Sequence, residues 1–450
     1  MRAHPLLSML AGLLLSMPLA LDAKPGTDDF EVPLQMERSV PVRSGRAANR
    51  VRSLQDATVG QTVLQARRAQ DVIAAAVSKR TAGCQVIRYG SGDLGWVATG
   101  TATYPATDNP VAARRTVQES RLKAMTDARE RLGRCLRALP PGARQQLTAS
   151  LEQNDAIRLA LINLADNEQQ RHEQALRILE RGFVAYAVEH DPASRTLFVH
   201  LVTTPATAMR LTRPTAGTME TTAIKEGTRQ LLAEIGAGLI PPVGHRLIVV
   251  NASGELTLVG YAVNLVGVHP DPNAQRKLRD DSLKIATARA GEALIGLATG
   301  DDQTWQDALD SASRDDIRHA ASGYDAEEPS TRRFAQIREL LLDSLKDDPG
   351  LQELREGRLP KASLLKSMGD DSTVLVAILY TPPVRPRETV PPPAATPATP
   401  TVPPAPAVPP ASTTTEPAAT VKPVTSPAPA VPPASTTTEP AATVKPVTSP

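Results

Sequence analysis

One pattern is written twice along this chain. A helix and hairpin, a long helix, a further helix and a closing hairpin run from about residue 61 and recur from about residue 219. Trp96–Tyr104 (WVATGTATY) is matched by Leu258–Val266 (LVGYAVNLV), with Gly100 in the role of Gly260. The closing segment Thr196–Pro205 (TLFVHLVTTP) is matched by Thr373–Pro382 (TVLVAILYTP). A duplicated module implies two cores of similar shape, so the shared pattern constrains the fold more than any single residue does.

Each copy opens with a helical face. Val63, Ala66, Ile73, Ala76 and Val77 fall on one side of a helix over Gln61–Lys79, and Met219–Ile235 plays the same part in the second copy. Hairpins follow: Cys84–Tyr89 with Trp96–Tyr104, and Arg246–Val250 with Leu256–Val266. The long helices then carry matching start signals, Asn109 before Pro110 and Asp271 before Pro272, each an N-cap followed by proline in the first turn. Further helices are expected at Ala143–Leu164, Glu168–Arg181, Thr304–Ala320 and Arg332–Lys346. Phe183–His190 with Thr196–Thr204, and Ser363–Met368 with Thr373–Thr381, close the two copies. Four strands against two or three helices per module make an α+β fold. Strands arriving in hairpins, without strand-helix-strand crossovers, disfavour a parallel nucleotide-binding sheet.

The resulting map is a signal peptide at 1–23, a flexible arm at 24–59, α+β modules at 60–206 and 218–383, and a disordered tail at 384–450. The first segment has the layout of a secretory signal: a basic start at Arg2, an apolar run Leu6 to Leu21 interrupted by Pro18, and small residues Ala20 and Ala23. Export to a periplasm or cell envelope is the expectation, with Lys24 or Leu21 as the first mature residue. An uncleaved anchor is the alternative, but the run falls short of the ~20 residues a span requires. The stretch Pro382–Pro450 holds 22 of the 41 prolines, and Pro404–Ser426 (PAPAVPPASTTTEPAATVKPVTS) recurs unchanged as Pro427–Ser449. With almost no large apolar groups it cannot bury enough surface to fold, and it reads as an extended spacer.

The two cysteines, Cys84 and Cys135, form a candidate disulfide in an exported chain; two buried thiols are the other reading. Net charge is +2 with acidic and basic residues interleaved, which argues against nucleic acid as a partner. The motif Gly90-Ser-Gly-Asp-Leu-Gly95 has phosphate-loop spacing, but a strand follows it where a phosphate site needs a helix N-terminus, so it reads as a turn. His172, His190, His200, His245, His269 and His319 include no pair at helical spacing, and His200 alternates with apolar neighbours as a sheet histidine. The acidic pairs Asp301-Asp302, Asp315-Asp316 and Glu327-Glu328 read as solvated, and the run Asp301–Asp316 lacks the spacing and glycine of a calcium loop. No catalytic, cofactor-binding or metal-binding residue is assigned, and the chain is read as not an enzyme.

Gly100-Thr-Ala-Thr-Tyr104, a polar turn, then Ala112-Ala-Arg-Arg continuing to Leu122-Lys-Ala-Met-Thr-Asp-Ala-Arg-Glu-Arg-Leu132, resembles the exported α+β module of flagellar-assembly T-type proteins and related small outer-membrane lipoproteins. The similarity covers about 35 residues in each copy; the second copy departs from it at Gly291, and the lipoprotein cysteine is missing. The resemblance implies an envelope protein supporting a larger assembly, accessory to a flagellar, pilus or secretion apparatus, with unidentified envelope proteins as partners. The alternatives are a periplasmic binder of a small molecule or peptidoglycan fragment in a cleft between the modules, and a hydrolase of unrecognised type.

Overall fold

A computed structural model describes residues 51–90, 92–250, 252–300 and 328–383. The expected signal peptide, the arm up to residue 50, the helix at Thr304–Ala320 with its acidic run and His319, and the proline-rich tail lie outside the described residues.

The first half begins with a hairpin, β1 (Arg52–Asp56) and β2 (Gln61–Gln65), turned by Asp56, whose Oδ1 accepts the amides of Thr58 and Val59 at 2.8 and 3.2 Å. Helix α1 (Ala69–Val77) then carries the chain to β3 (Gly83–Tyr89), parallel to β2, and β4 (Asp93–Thr103) returns antiparallel. Helices α2 (Pro110–Arg137), α3 (Pro141–Leu151), α4 (Asp155–Leu164) and α5 (Glu168–Arg181) precede β5 (Val184–Asp191) and β6 (Thr196–Thr203). After the short α6 (Pro205–Arg210) the second half repeats the scheme: β7 (Leu211–Thr215), β8 (Thr218–Thr221), α7 (Ile224–Gly236), β9 (Val243–Val250), β10 (Glu255–Leu265) and α8 (Pro272–Thr299). Past residue 327 come α9 (Glu328–Ser344), α10 (Pro349–Arg355), β11 (Leu364–Gly369) and β12 (Thr373–Tyr380).

Both sheets have six strands, in the orders β1-β2-β3-β4-β6-β5 and β7-β8-β9-β10-β12-β11, which correspond strand for strand. The chain is therefore α+β with two like-ordered halves. Each half also holds one strand-helix-strand crossover, β2-α1-β3 and β8-α7-β9, and each sheet has six strands where the sequence suggested four. The halves accordingly start at β1 and β7, ahead of residues 60 and 218, and the end of the expected arm is strand. The reason is local. β1 carries one apolar residue, Leu54, and shows no alternation, while β2 flows after three residues into α1, so that strand and helix merge into one apolar period. Similarly, Ala143–Leu164 is two helices, broken ahead of Asn154, whose side chain accepts the amide of Ile157 at 3.1 Å.

The two long helices start where their caps predict. Asn109 accepts from the amides of Val111 and Ala112, and Asp271 from those of Asn273 and Ala274. Each then crosses its sheet over a glycine. A Cβ on Gly100 would lie 2.1 Å from the carbonyl oxygen of Ala124, and one on Gly260 would lie 2.2 Å from that of Ala290. These crossings align Trp96 with Leu256, and pairing of Gly100 with Val199 and Gly260 with Ile378 aligns Val199 with Ile378. The sequence alignment is thus two residues out of step in both places. A slip of two leaves every side chain on its proper face, which is why the pattern survived it.

Helix α2 is shared. One side packs on Trp96, Ala98 and Leu201 of the first sheet; the apolar cluster then continues through Leu122 and Met125 into Val259, Tyr261, Ala377 and Leu379 of the second. Arg114 Nη1 donates to the Val266 carbonyl at 3.2 Å across the same seam. The far side of the second sheet packs on Ala286, Ala290 and Leu294 of α8, and the far side of the first on Val72, Ile73 and Ala76 of α1. A buried ion pair ties the halves as well: Arg213 of β7 meets Glu234 of α7, donates to the Phe183 carbonyl at 2.6 Å and lies 4.2 Å from the Phe183 ring centroid. Among the described residues no helix is long and apolar enough to cross a membrane.

Candidate interaction surface

Cys84 and Cys135 are disulfide-bonded, with Cα atoms 6.2 Å apart. Cys84 shares the face of β3 that carries Val86 toward α2, and Cys135 is on α2, so the bond pins the shared helix to the first sheet. The glycine segment after β3 is a hairpin turn, with Gly90 and Gly92 at φ +57° and +129° and β4 following directly. The Gly90 amide donates to the Arg67 carbonyl at 3.2 Å, just ahead of α1.

The described histidines are dispersed. His190 Nε2 pairs with the Tyr104 hydroxyl at 2.5 Å, His269 Nδ1 accepts the Asp271 amide at 3.1 Å, His172 lies 4.0 Å from Glu168, and His245 is buried in β9. Among the described residues no three His, Cys, Asp or Glu side chains are grouped to hold a metal.

A polar cluster does occupy the outer face of the first sheet, beyond the end of α1. His200 is fully buried; its Nδ1 lies 2.9 Å from the Thr99 hydroxyl, its Nε2 lies 3.8 Å from Glu189, and Glu189 accepts from Arg80 Nε at 2.6 Å. Burial, reinforced by the Arg80 charge, lowers the His200 pKa from 6.5 to about 4. The folded protein thus keeps His200 neutral where the unfolded chain would protonate it. Its contribution to stability is full above pH 6.5 and is lost as pH falls toward about 4. His245, held down to about 3 first by burial and then by Arg246 and Arg338, acts in the same sense. His200→Leu, which installs the residue found at the equivalent position Leu379, is expected to flatten the acid limb by about 1.4 kcal/mol per pH unit. Urea midpoints of the two proteins between pH 4.5 and 6.5 check this; parallel limbs would refute it.

The most open feature is the edge of the second sheet. Edge strands display unpaired N–H and C=O groups, and proteins ordinarily blunt them with charges, bulges or covering elements. Two of the four edges here are managed by a bulge or by cover, and the other two, β1 and β11, by charged side chains alone. β5 breaks register between Ala185 and Ala187 and ends in Glu189, His190 and Asp191; β7 is buried beside α6; β1 carries Arg52 and Asp56. β11 carries Lys366 and, among the described residues, has neither bulge nor cover. It runs in unbroken register against β12 from Leu364↔Leu379 to Gly369↔Val374, and exposes Leu364, Leu365 and Met368 by 54, 50 and 45%. Leu359, on the approach to it, is 42% exposed. Leu364, Lys366 and Met368 stand on the face shared with Leu379, Ala377 and Leu375, and Leu365 stands on the other. Reading Ser363–Met368 as a hairpin strand located β11 without marking it as an edge, because hairpins alone do not give strand order. The available signal was Leu-Leu-Lys-Ser-Met, which lacks the alternation of a half-buried strand.

No family model matches the chain, and no curated protein matches it. Among solved structures, a hypothetical protein from Francisella tularensis is similar at 12% identity over 64% of this chain and 83% of its own, with a TM-score of 0.19. Likeness at that score carries no argument about fold or function.

Proposed function

We propose that this chain is an exported, non-enzymatic interaction protein of a bacterial cell envelope, an accessory to a larger assembly such as a flagellar, pilus or secretion apparatus. The observation that carries the reading is β11: a regular edge strand, uncovered among the described residues, that exposes three apolar side chains on its two faces where the equally regular β1 exposes Leu54 alone. Surfaces of that kind are a liability in isolation and a docking device where a partner exists. The signal-like sequence of residues 1–23, the disulfide and the extended proline-rich tail support an extracytoplasmic setting, with the tail as a spacer. The short resemblance of Gly100–Leu132 to flagellar-assembly T-type proteins points the same way. The competing idea of a small molecule or peptidoglycan fragment held between the halves lacks support, because side chains of α2 and the second sheet fill that space as one apolar cluster.

The test is photo-crosslinking in living cells from position 365, with position 285 on α8 as a control of comparable exposure, since Ile285 is 44% exposed. Defined envelope proteins captured from position 365 and not from 285 are expected. Capture of nothing from 365, or the same proteins from both positions, would overturn the reading.

A further inference from the structure

Resting on that reading, we infer that β11 takes an extended segment of a partner protein as an added strand, and that this segment carries an acidic residue between two apolar ones at every second position.

The pattern comes from the side chains a neighbouring strand would meet. On an antiparallel pair, directly opposed residues share a face and interact, opposite charges and apolar pairs favourably and like charges unfavourably. One face of β11 presents Leu364, Lys366 and Met368 in sequence, an apolar, basic, apolar row, because all three are in register with Leu379, Ala377 and Leu375. The matching row on the incoming strand is apolar, acidic, apolar. On the opposite face only Leu365 is large; Ser367 and Gly369 leave room beside it, so the intervening positions of the partner are free to be small or hydroxylic. Lys366 is the only charge on β11, and Lys361 precedes it by five residues with no acidic residue between them. Asp370 and Asp371 follow in the turn; within β11 itself Lys366 is the charge to be answered by an acid.

A second copy of the chain is a poorer occupant. Two-fold pairing of β11 with itself keeps side chains on their faces only when residues of even separation oppose. The register that sets Leu364 against Met368 then sets Lys366 against its own copy. In that register, which best opposes the apolar residues, the like-charge contact at the centre disfavours self-pairing while costing an acidic partner nothing.

The decisive experiment uses the full-length oxidised protein and a fluorescent blocked peptide, Thr-Leu-Thr-Glu-Thr-Leu-Thr, with a second peptide in which lysine replaces the glutamate. Fluorescence anisotropy is expected to show binding of the glutamate peptide, about tenfold weaker on Lys366→Glu, with preference switched to the lysine peptide by that variant. Ser367→Pro, which removes a backbone donor from the edge without touching the core, tests whether main-chain pairing is involved, and loss of binding at that position or at Leu365→Pro is expected. Absence of binding, binding indifferent to Lys366→Glu, or a concentration-dependent dimer in sedimentation that Ser367→Pro abolishes would each overturn the inference. If position 365 still captures an envelope protein in cells while the peptide fails, the docking reading survives and the added acidic strand does not.

Discussion

Replacing Gly100 by alanine is expected to cost more than about 3 kcal/mol, above the usual range for overpacking a core. The new Cβ would lie 2.1 Å from the Ala124 oxygen and 2.2 Å from the Ala128 nitrogen, both main-chain atoms of α2. A flexible side chain could swing aside, but a helix backbone cannot, and this helix is held from behind by the second sheet. Displacing it disturbs both halves, so a single cooperative loss is expected and not the unfolding of one module. Gly260→Ala meets the same obstacle in Ala290 and Leu294, at 2.2 and 2.5 Å, yet α8 has no second sheet behind it within the described residues, and a smaller loss is expected there. Gly142→Ala is the control: it sits in α3 with nothing within 4 Å of the added atom, and should gain about 0.5 kcal/mol. Urea unfolding of the three variants decides the matter. Wild-type behaviour of Gly100→Ala would mean that α2 does not cross the sheet so closely.

Removal of the disulfide, by Cys84→Ser together with Cys135→Ser, is expected to lower stability by about 4 kcal/mol in the chain-entropy account, for a sequence separation of 51. The bond closes a loop that contains β4 and most of α2, the elements on which the apolar cluster is centred, so the reduced unfolded chain gains freedom where the fold is assembled. Reducing agent should shift the urea midpoint of the native protein to that of the double variant and leave the variant unmoved. A native protein indifferent to reductant would show that the bond contributes nothing, or that it does not form.

The sequence conveyed the parts of this fold with strong local chemistry. Asn109-Pro110 and Asp271-Pro272 announce helix starts because caps act within one turn, and Gly100 and Gly260 stand out because only glycine tolerates a helix at that distance. What remained hidden was set by tertiary neighbours. β1 is exposed and polar, and β8 is four residues long, so neither shows the alternation that marks a strand; each is a strand because a partner's hydrogen bonds make it one. The candidate surface was hidden for a related reason. The sequence of β11 is unremarkable until β12 is seen to pair with β10 on its other side, leaving β11 with a single neighbour.

The outer face of the first sheet differs from its counterpart in a way that bears on how many units such a protein can hold. Thr99 and His200 occupy the places of Val259 and Leu379, the residues by which the second sheet grips α2, and Thr101 and Thr103 those of Tyr261 and Val263. At the opposite end α8 turns Lys284, Ala288 and Glu292 to solvent. The described residues thus form a stack of two closed at both ends, like a solenoid reduced to its caps. A third unit could be grafted only in the middle, with the apolar face of the second sheet on one side and the solvent-free back of α2 on the other. Joined at either terminus, it would find a surface already finished.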